Sequence, residues 1–222
     1  RAIELHSAEA FVHVRDSSRA AVLHALDLGA RGIIIPDVQS VEEARRLVEY
    51  AKYYPLGARG FAFSRSAKYG FLPELKQIGD YFTATNQRTI LMPQCETAGA
   101  LEHIEEIAAL DGIDGIFVGP YDLSVALGAP ARFATPRFAE ALDRVIAACR
   151  ASGKLAFIYA NTRAYFAQGY QGAPIARIRP FWSRPFRACC RRNGTLQKNA
   201  KVRPPRSGNT SIKSGVIRIG RT

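Results

Sequence analysis

Short apolar runs recur along the chain and are separated by amphipathic segments. The runs begin near residues 11, 32, 90, 115 and 155, and each is apolar at consecutive positions rather than at alternate ones. Continuous apolar runs of this kind are typical of strands that are buried on both faces of a parallel sheet. The pattern therefore predicts an α/β protein in which parallel strands alternate with helices.

Helix periodicity and helix-capping residues fill the segments between the runs. Ser40 with Glu43 forms a capping box, and Thr97 is placed to cap the helix after the third run. Apolar residues recur on one face of each segment, which indicates that this face packs on the sheet. Helices are predicted over residues 18–28, 40–53, 97–110 and 136–152.

Polar residues follow the predicted strands one after another. They are Arg15, Asp37, Glu96, Asp122 and Asn161. A βα barrel carries its chemistry in this way at the C-terminal ends of its strands, whereas an open doubly wound sheet gathers it at one switch point. We therefore predict a TIM (β/α)8 barrel. It is an incomplete one, because the chain supplies five clear strands where a complete barrel has about eight.

One connection, residues 55–88, is long for a link between two elements. It is rich in Gly and Arg near its start, and a helix is predicted over residues 73–85. Long loops at the C-terminal face of a barrel often cover the site. Two interpretations stay open: a lid over the site, or an ordinary surface excursion.

The charge of the chain is concentrated at one end. The 222 residues carry a formal net charge of +12, yet residues 1–172 hold 18 Lys/Arg against 19 Asp/Glu. Residues 173–222 hold 13 Lys/Arg and no acid. We predict a partial barrel over the first part and a basic tail, disordered or foreign to the fold, over the second. The alternative is a basic arm that binds nucleic acid, and we expect no nucleic-acid binding other than through this tail.

The cysteines and the apolar runs indicate in which cellular compartment the protein is expected. No apolar run approaches the length needed to cross a bilayer, so no membrane partner is expected. None of the four cysteines has CxxC spacing, and Cys95 and Cys149 lie in apolar contexts typical of core residues. Reduced thiols fit a cytoplasmic protein. Because the chain begins at Arg1 and its single methionine is Met92, we expect the natural protein to extend upstream.

Two of the polar residues are placed to share a metal ion. Glu96 and Asp122 follow consecutive predicted strands with a helix between them, which puts both carboxylates at one edge of the sheet. Neighbouring strands lie about 4.8 Å apart, so both side chains can reach one hard cation. Oxygen ligands favour magnesium, manganese or cobalt over a zinc site rich in Cys or His. The alternative is that Glu96 caps the next helix and Asp122 the next turn.

Four segments carry a more specific signal. They are LDLGARGIIIPDVQSVEEA (26–44), YYPLGARGFAFSRSAKYG (53–70), MPQCETAGALEHIEEIAALDGIDGIFVGPYDLSVALG (92–128) and SGKLAFI (152–158). In order and spacing they resemble the HpcH/HpaI aldolase and citrate lyase family. That family contains class II, metal-dependent aldolases with phosphoenolpyruvate/pyruvate-type barrels, which make or break a bond to pyruvate. Its barrels assemble as hexamers, so the resemblance also implies a homo-oligomer.

The resemblance implies roles for individual residues. Glu96 and Asp122 would bind the divalent cation. Arg15 would face the keto oxygen and carboxylate of a 2-oxo acid substrate as a catalytic cation, and Gln94 would line the pyruvate pocket. The substrate carboxylate would be held by the segment Gly119, Pro120, Tyr121 and Asp122.

The chain also departs from the family pattern. The family's catalytic histidine lies in an Asp-x-Glu-His segment that precedes the first residues here, and His6 lies too close to Arg15 to replace it. His13 shares a strand face with Arg15, so it lines the barrel or is a satisfied core residue. The last barrel strand, expected after Tyr170, is replaced by the basic tail.

These observations predict a metal-dependent aldolase that cleaves 4-hydroxy-2-oxo acids reversibly to pyruvate and an aldehyde. Because the base histidine is absent, we expect low or no aldol activity of this chain. Three other hypotheses stay open: a CoA-ester lyase of the citrate lyase type, a catalytically inactive remnant, and a nucleic-acid-binding protein that acts through its tail.

Overall fold

A single sheet organises the chain. The computed structural model describes residues 9–160, residues 3 and 165, residues 168–171 and the backbone of residues 172–173 and 189–190. The strands are Phe11–His13 (β1), Gly32–Ile35 (β2), Ile90–Cys95 (β3), Gly115–Val118 (β4), Leu155–Ile158 (β5), Gly172–Ala173 (β6) and Cys189–Cys190 (β7). β1 to β6 pair in parallel, and β7 pairs antiparallel to β6.

The strand order in space equals the order in the chain. A doubly wound sheet reverses its order at a switch point, whereas a barrel wall adds each strand to the same edge. The five apolar runs form β1 to β5, which confirms the prediction of an incomplete barrel with parallel strands. β6 corrects one expectation, because Gly172 pairs with Phe157 where the basic tail was expected to replace a strand.

Helices cover the outside of the sheet. They are Arg19–Asp27 (α1), Val41–Ala51 (α2), Ile78–Arg88 (α3), Ala98–Glu102 (α4), Ile104–Ala109 (α5), Pro120–Ala126 (α6) and Pro136–Ala151 (α7). Short 3-10 helices occupy Arg65–Gly70 and Pro73–Lys76. Ser18, Ser40, Thr97 and Thr135 each accept a backbone N–H at the start of their helix, as N-cap residues do.

Three details differ from the predicted helices. The helix over residues 97–110 is divided, because His103 adopts φ −107° between α4 and α5. The helix over residues 73–85 is also divided, since Gln77 is extended at φ −126°. Ser40 caps α2 as predicted, but Glu43 accepts from the backbone N–H of Gln39 rather than that of Ser40, so the capping box is only half formed.

One residue from each of five strands fills the space enclosed by the sheet. This inner layer contains Phe11, Ile34, Met92, Phe117 and Phe157, all at most 4% exposed. Their neighbours in each strand point the other way, against the helices, as the alternation of strand side chains requires. Positions two residues further along β1, β3 and β4 therefore face the same interior, one layer nearer the C-terminal edge.

The long connection, residues 55–88, does not form a lid. It follows α2 and leads into β3, so it lies at the N-terminal end of the sheet, opposite the edge where the predicted site residues gather. Tyr53 stacks on Phe82 there, with ring centroids 4.3 Å apart, and Arg59 lies 4.7 Å from the Tyr53 ring centroid. The lid interpretation is wrong, and the surface excursion is the observed structure.

Lys52 joins this connection to the sheet. Its side chain is 1% exposed, and Nζ donates to the carbonyl oxygens of Asn86 (3.0 Å) and Thr89 (2.6 Å) and to Asp114 Oδ2 (2.8 Å). The same Asp114 oxygen accepts from the backbone N–H of Leu91. Burial lowers the pKa of Lys52, and the negative charge of Asp114 opposes that shift. All three donors of the ammonium group are therefore satisfied.

Replacing Lys52 by Met should lower the free energy of unfolding by about 3 kcal/mol, because it leaves a carboxylate and two carbonyl groups without their donor. Chemical denaturation followed by circular dichroism measures the change. Lys76→Met, at an exposed lysine of the same connection, is the matched control and should change stability little. Equal stability of the two variants would contradict this account of Lys52.

Two findings concern the remaining predictions. Within the residues that the structure describes, every helix is too short or too polar to span a bilayer. The hypotheses on the basic tail, on Asn161 and on His6 lie outside the described residues, apart from the short strand β7. The division of the chain at residue 172 stays a prediction.

Candidate active site

A cleft opens at the C-terminal edge of the sheet. Its volume is about 390 Å³, and it is lined by His13, Pro36, Asp37, Gln94, Glu96, Thr97 and Asp122. These residues come from β1, β3 and the segments that follow β2, β3 and β4. The carboxyl ends of parallel strands are where α/β barrels place their chemistry. This cleft is the candidate active site.

The strand periodicity explains which side chains enter the cleft. His13 lies two residues after Phe11, and Gln94 lies two residues after Met92, so both continue the inner layer. Glu96 follows Gln94 by two more residues, just past the end of β3. Cys95 points to the opposite side, where burial raises the pKa of its thiol to about 12. Its expected place in the core is confirmed.

Glu96 is the most buried charged group of the cleft, at 8% exposure. Its Oε1 accepts from the backbone N–H of Asp37 (2.8 Å), and its Oε2 accepts from Gln94 Nε2. Burial raises the pKa of its carboxyl; the Asp37 N–H lowers it, and the negative charge of Asp122 raises it further. Glu96 does not cap α4, because Thr97 does.

Gly119 permits the packing around this carboxylate. A Cβ at Gly119 would fall 2.4 Å from Gln94 Nε2 and 2.5 Å from Glu96 Oε2, closer than any real contact. Gly119 is the N-cap of α6, which begins with Pro120 and carries Asp122 in its first turn. Any larger residue would have to displace the Gln94–Glu96 pair.

Asp122 brings the second carboxylate to the cleft. It is exposed and lies at the third position of α6, so it is not the cap of a turn, which was the alternative. Its side chain lines the same cleft as that of Glu96. The predicted meeting of both carboxylates at one edge is therefore observed.

Comparison with known proteins decides the family. A sequence model of the HpcH/HpaI aldolase/citrate lyase family matches residues 1–176. The chain belongs to the HpcH/HpaI aldolase/citrate lyase family. The resemblance read from the sequence is confirmed, and the barrel fold of the family accounts for the strand order.

Solved members of the family share the fold. The HpcH/HpaI aldolase from Desulfitobacterium hafniense DCB-2 is 31% identical, with a TM-score of 0.66 over 73% of this chain and 63% of that one. A HpcH/HpaI aldolase/citrate lyase family protein from Burkholderia cenocepacia J2315 is also 31% identical, with a TM-score of 0.64 over 72% of this chain and 63% of that one.

One relative of the chain is a curated aldolase. The 2-keto-3-deoxy-L-rhamnonate aldolase of Salmonella gallinarum (strain 287/91 / NCTC 13346) is 35% identical over 158 residues, which are 70% of this chain and 57% of that enzyme. The chain thus spans somewhat more than half the length of this relative.

The structure places some of the family-assigned residues outside the cleft. The side chain of Arg15 is 89% exposed and its Nε donates to Asp16 (2.9 Å). Pro120 is buried as the first residue of α6, and Tyr121 is 58% exposed with its ring against Phe133. Gln94, Glu96 and Asp122 line the cleft, with Gly119 packed behind them. The substrate role of Arg15 stays a prediction.

Local structure explains why Arg15 leaves the strand face. β1 ends at His13, and Asp16 Oδ1 accepts from the backbone N–H of Ser18 (3.0 Å), which itself caps α1. The chain bends over residues 15–17, so the strand alternation does not continue through Arg15.

Four of the seven lining residues are not assigned to the site from the sequence: His13, Pro36, Asp37 and Thr97. The sequence leaves His13 open between a barrel-lining and a core position, places Asp37 among the polar residues that follow the strands without giving it a role, and predicts Thr97 only as a helix cap. Asp37 has φ 56° and donates its N–H to Glu96. The two-residue spacing from Phe11 to His13 predicts that both side chains lie on the same face of β1, and this was the sequence pattern that could have placed His13 in the cleft.

The donor set fits a divalent cation. Members of the family generally depend on a divalent metal. Glu96 and Asp122 supply oxygen ligands, and both line the cleft. Among the described residues no third His, Cys, Asp or Glu completes a cluster with them. A divalent cation would neutralise the negative charge of these two carboxylates, one of which is buried.

Gly119→Ala should weaken Mn²⁺ affinity by at least about 10-fold while the protein stays folded, because the new methyl group displaces the Glu96 carboxylate. Isothermal titration calorimetry measures the affinity. Gly79→Ala, where a Cβ meets nothing within 4 Å, is the control. Unchanged affinity of the Gly119 variant would show that the carboxylate does not need this space.

In divalent-free buffer, the stability of Glu96→Gln relative to wild type should rise with pH. Above the raised folded pKa, the ionised carboxyl costs folding free energy; below its ordinary value of 4.5, both states are protonated and the cost vanishes. The difference in Tm between variant and wild type should therefore grow as pH rises through this range. Thermal melts in EDTA from about pH 4 to about pH 8 test this. A difference independent of pH would contradict it.

Proposed function

We propose that this chain carries the active site of a divalent-metal-dependent aldolase that cleaves 4-hydroxy-2-oxo acids to pyruvate and an aldehyde. The observation that carries the proposal is the pair Glu96 and Asp122, which follow consecutive parallel strands and line one cleft. Family membership and the aldolases among its relatives support the same reaction class.

The residues of the chain divide the work of such a reaction. Glu96 and Asp122 would hold a magnesium, manganese or cobalt ion, which supplies Lewis-acid stabilisation of the developing enolate. Gln94 borders the same space and would contact the 2-oxo acid. The backbone N–H groups of Tyr121 and Asp122 belong to the first turn of α6 and have no carbonyl partner within that helix, so they suit a substrate carboxylate.

We also propose a homo-oligomer as the working form. The connection at the N-terminal end of the sheet exposes apolar side chains that a second copy could cover. Tyr54, Phe63, Tyr69 and Phe71 are 78%, 64%, 66% and 86% exposed. Such a concentration of exposed aromatic residues is typical of protein contact surfaces.

Oxaloacetate decarboxylation tests the proposal without knowledge of the aldehyde, because it requires only the stabilisation of pyruvate enolate. We expect decarboxylation by the full chain with Mg²⁺ or Mn²⁺ to exceed the rate with the metal alone. EDTA and Glu96→Ala should each remove that excess. A coupled assay for pyruvate measures the rate.

Glu106→Ala is the matched control, since it removes an exposed carboxylate on α5. This variant should keep the wild-type excess rate. Activity that survives EDTA, or survives Glu96→Ala, would refute the proposed metal site.

A further inference from the structure

A continuous hydrogen-bonded chain links β1 to the buried carboxylate. His13 Nε2 lies 2.8 Å from Gln94 Oε1, and Gln94 Nε2 donates to Glu96 Oε2. Gln94 is 7% exposed, so water has little access to its amide. His13 is the only basic side chain among the residues that line the described cleft.

The chain fixes one arrangement of hydrogen atoms. An ionised Glu96 can only accept, so the group facing it must be the N–H side of the Gln94 amide. The oxygen side of that amide then faces His13, and His13 Nε2 must carry a hydrogen to donate to it. A flipped amide would set its oxygen against the carboxylate, which is repulsive. His13 thus holds the amide in the orientation that Glu96 requires.

The other neighbours of Glu96 do not orient the Gln94 amide. Asp37 N–H holds Oε1 from the other side, and Gly119 offers only the absence of a side chain near Oε2. Arg15, the cation that the resemblance assigned to the site, is directed to Asp16 at the surface. The orientation of Oε2 therefore depends on Gln94, and that of Gln94 on His13.

We propose that His13 is a positioning residue for the metal-binding carboxylate, acting through Gln94 on Glu96. This inference rests on the proposed metal site. Partners that orient a metal ligand from the second layer affect metal affinity by about 10- to 100-fold when they are removed. His13 therefore contributes to cation affinity although it lies outside the pair of carboxylates that would bind the cation.

Mn²⁺ affinity of the full chain, measured by isothermal titration calorimetry in the absence of substrate, tests the inference. His13→Phe keeps a ring of similar size and removes the N–H, so it should weaken Mn²⁺ binding by about 10-fold. His13→Gln keeps an N–H near the position of Nε2 and should bind Mn²⁺ nearly as wild type does. His24→Phe, at an exposed histidine on α1, is the control.

A double-mutant cycle tests the route. If His13 acts through Gln94, adding His13→Phe to Gln94→Ala should produce no further loss of Mn²⁺ affinity. Additive losses would overturn the route, and wild-type affinity of His13→Phe would overturn the role itself. Failure of wild type to bind Mn²⁺ would refute the proposed metal site and this inference with it. Binding by wild type that is lost in Glu96→Ala but unchanged in His13→Phe would refute this inference alone.

Discussion

The alternation of side chains along parallel strands is the constraint on which the site depends. Phe11, Met92 and Phe117 fill the interior of the sheet, and the positions two residues further on are His13 in β1, Gln94 in β3 and Gly119 just past β4. The apolar layer is at most 4% exposed, so it sets the height and direction of the polar layer above it. A shift of any strand by one residue would exchange a cleft residue for one that packs against the helices.

Buried charges are paired with opposite charges at one end of the sheet and lie beside like charges at the other. At the N-terminal end, Lys52 is buried with Asp114 and two carbonyl groups, so each charge has a partner. At the C-terminal edge, Glu96 is buried beside Asp122, and its pKa is raised. Paired charges at one end serve stability, while interacting like charges at the other are typical of a functional site.

Sequence patterns predicted the elements and the meeting of Glu96 with Asp122, because a strand–helix–strand unit has one common geometry. They failed where local bonds decided the path of the chain. Arg15 was expected on the inner face, but β1 ends at His13 and the chain bends over residues 15–17. The lid was misplaced for another reason: a connection that follows a helix returns to the N-terminal end of the next strand, so its position could have been inferred. The division of the predicted helix at His103 could not be predicted, because the apolar periodicity of residues 97–110 is continuous there.

The charges of the cleft also bear on the order in which ligands bind. Its described lining contains Asp37, Glu96 and Asp122 and no Lys or Arg. A 2-oxo acid is an anion, and at a separation of about 4 Å two like charges repel by about 4 kcal/mol near a protein surface. A divalent cation held by two of these carboxylates would cancel their charge and so remove most of this repulsion before the substrate arrives. The same cation would then be the group that recognises the keto acid, with Gln94 and the amides of α6 left to orient it. Metal first and substrate second is the order that this charge distribution favours.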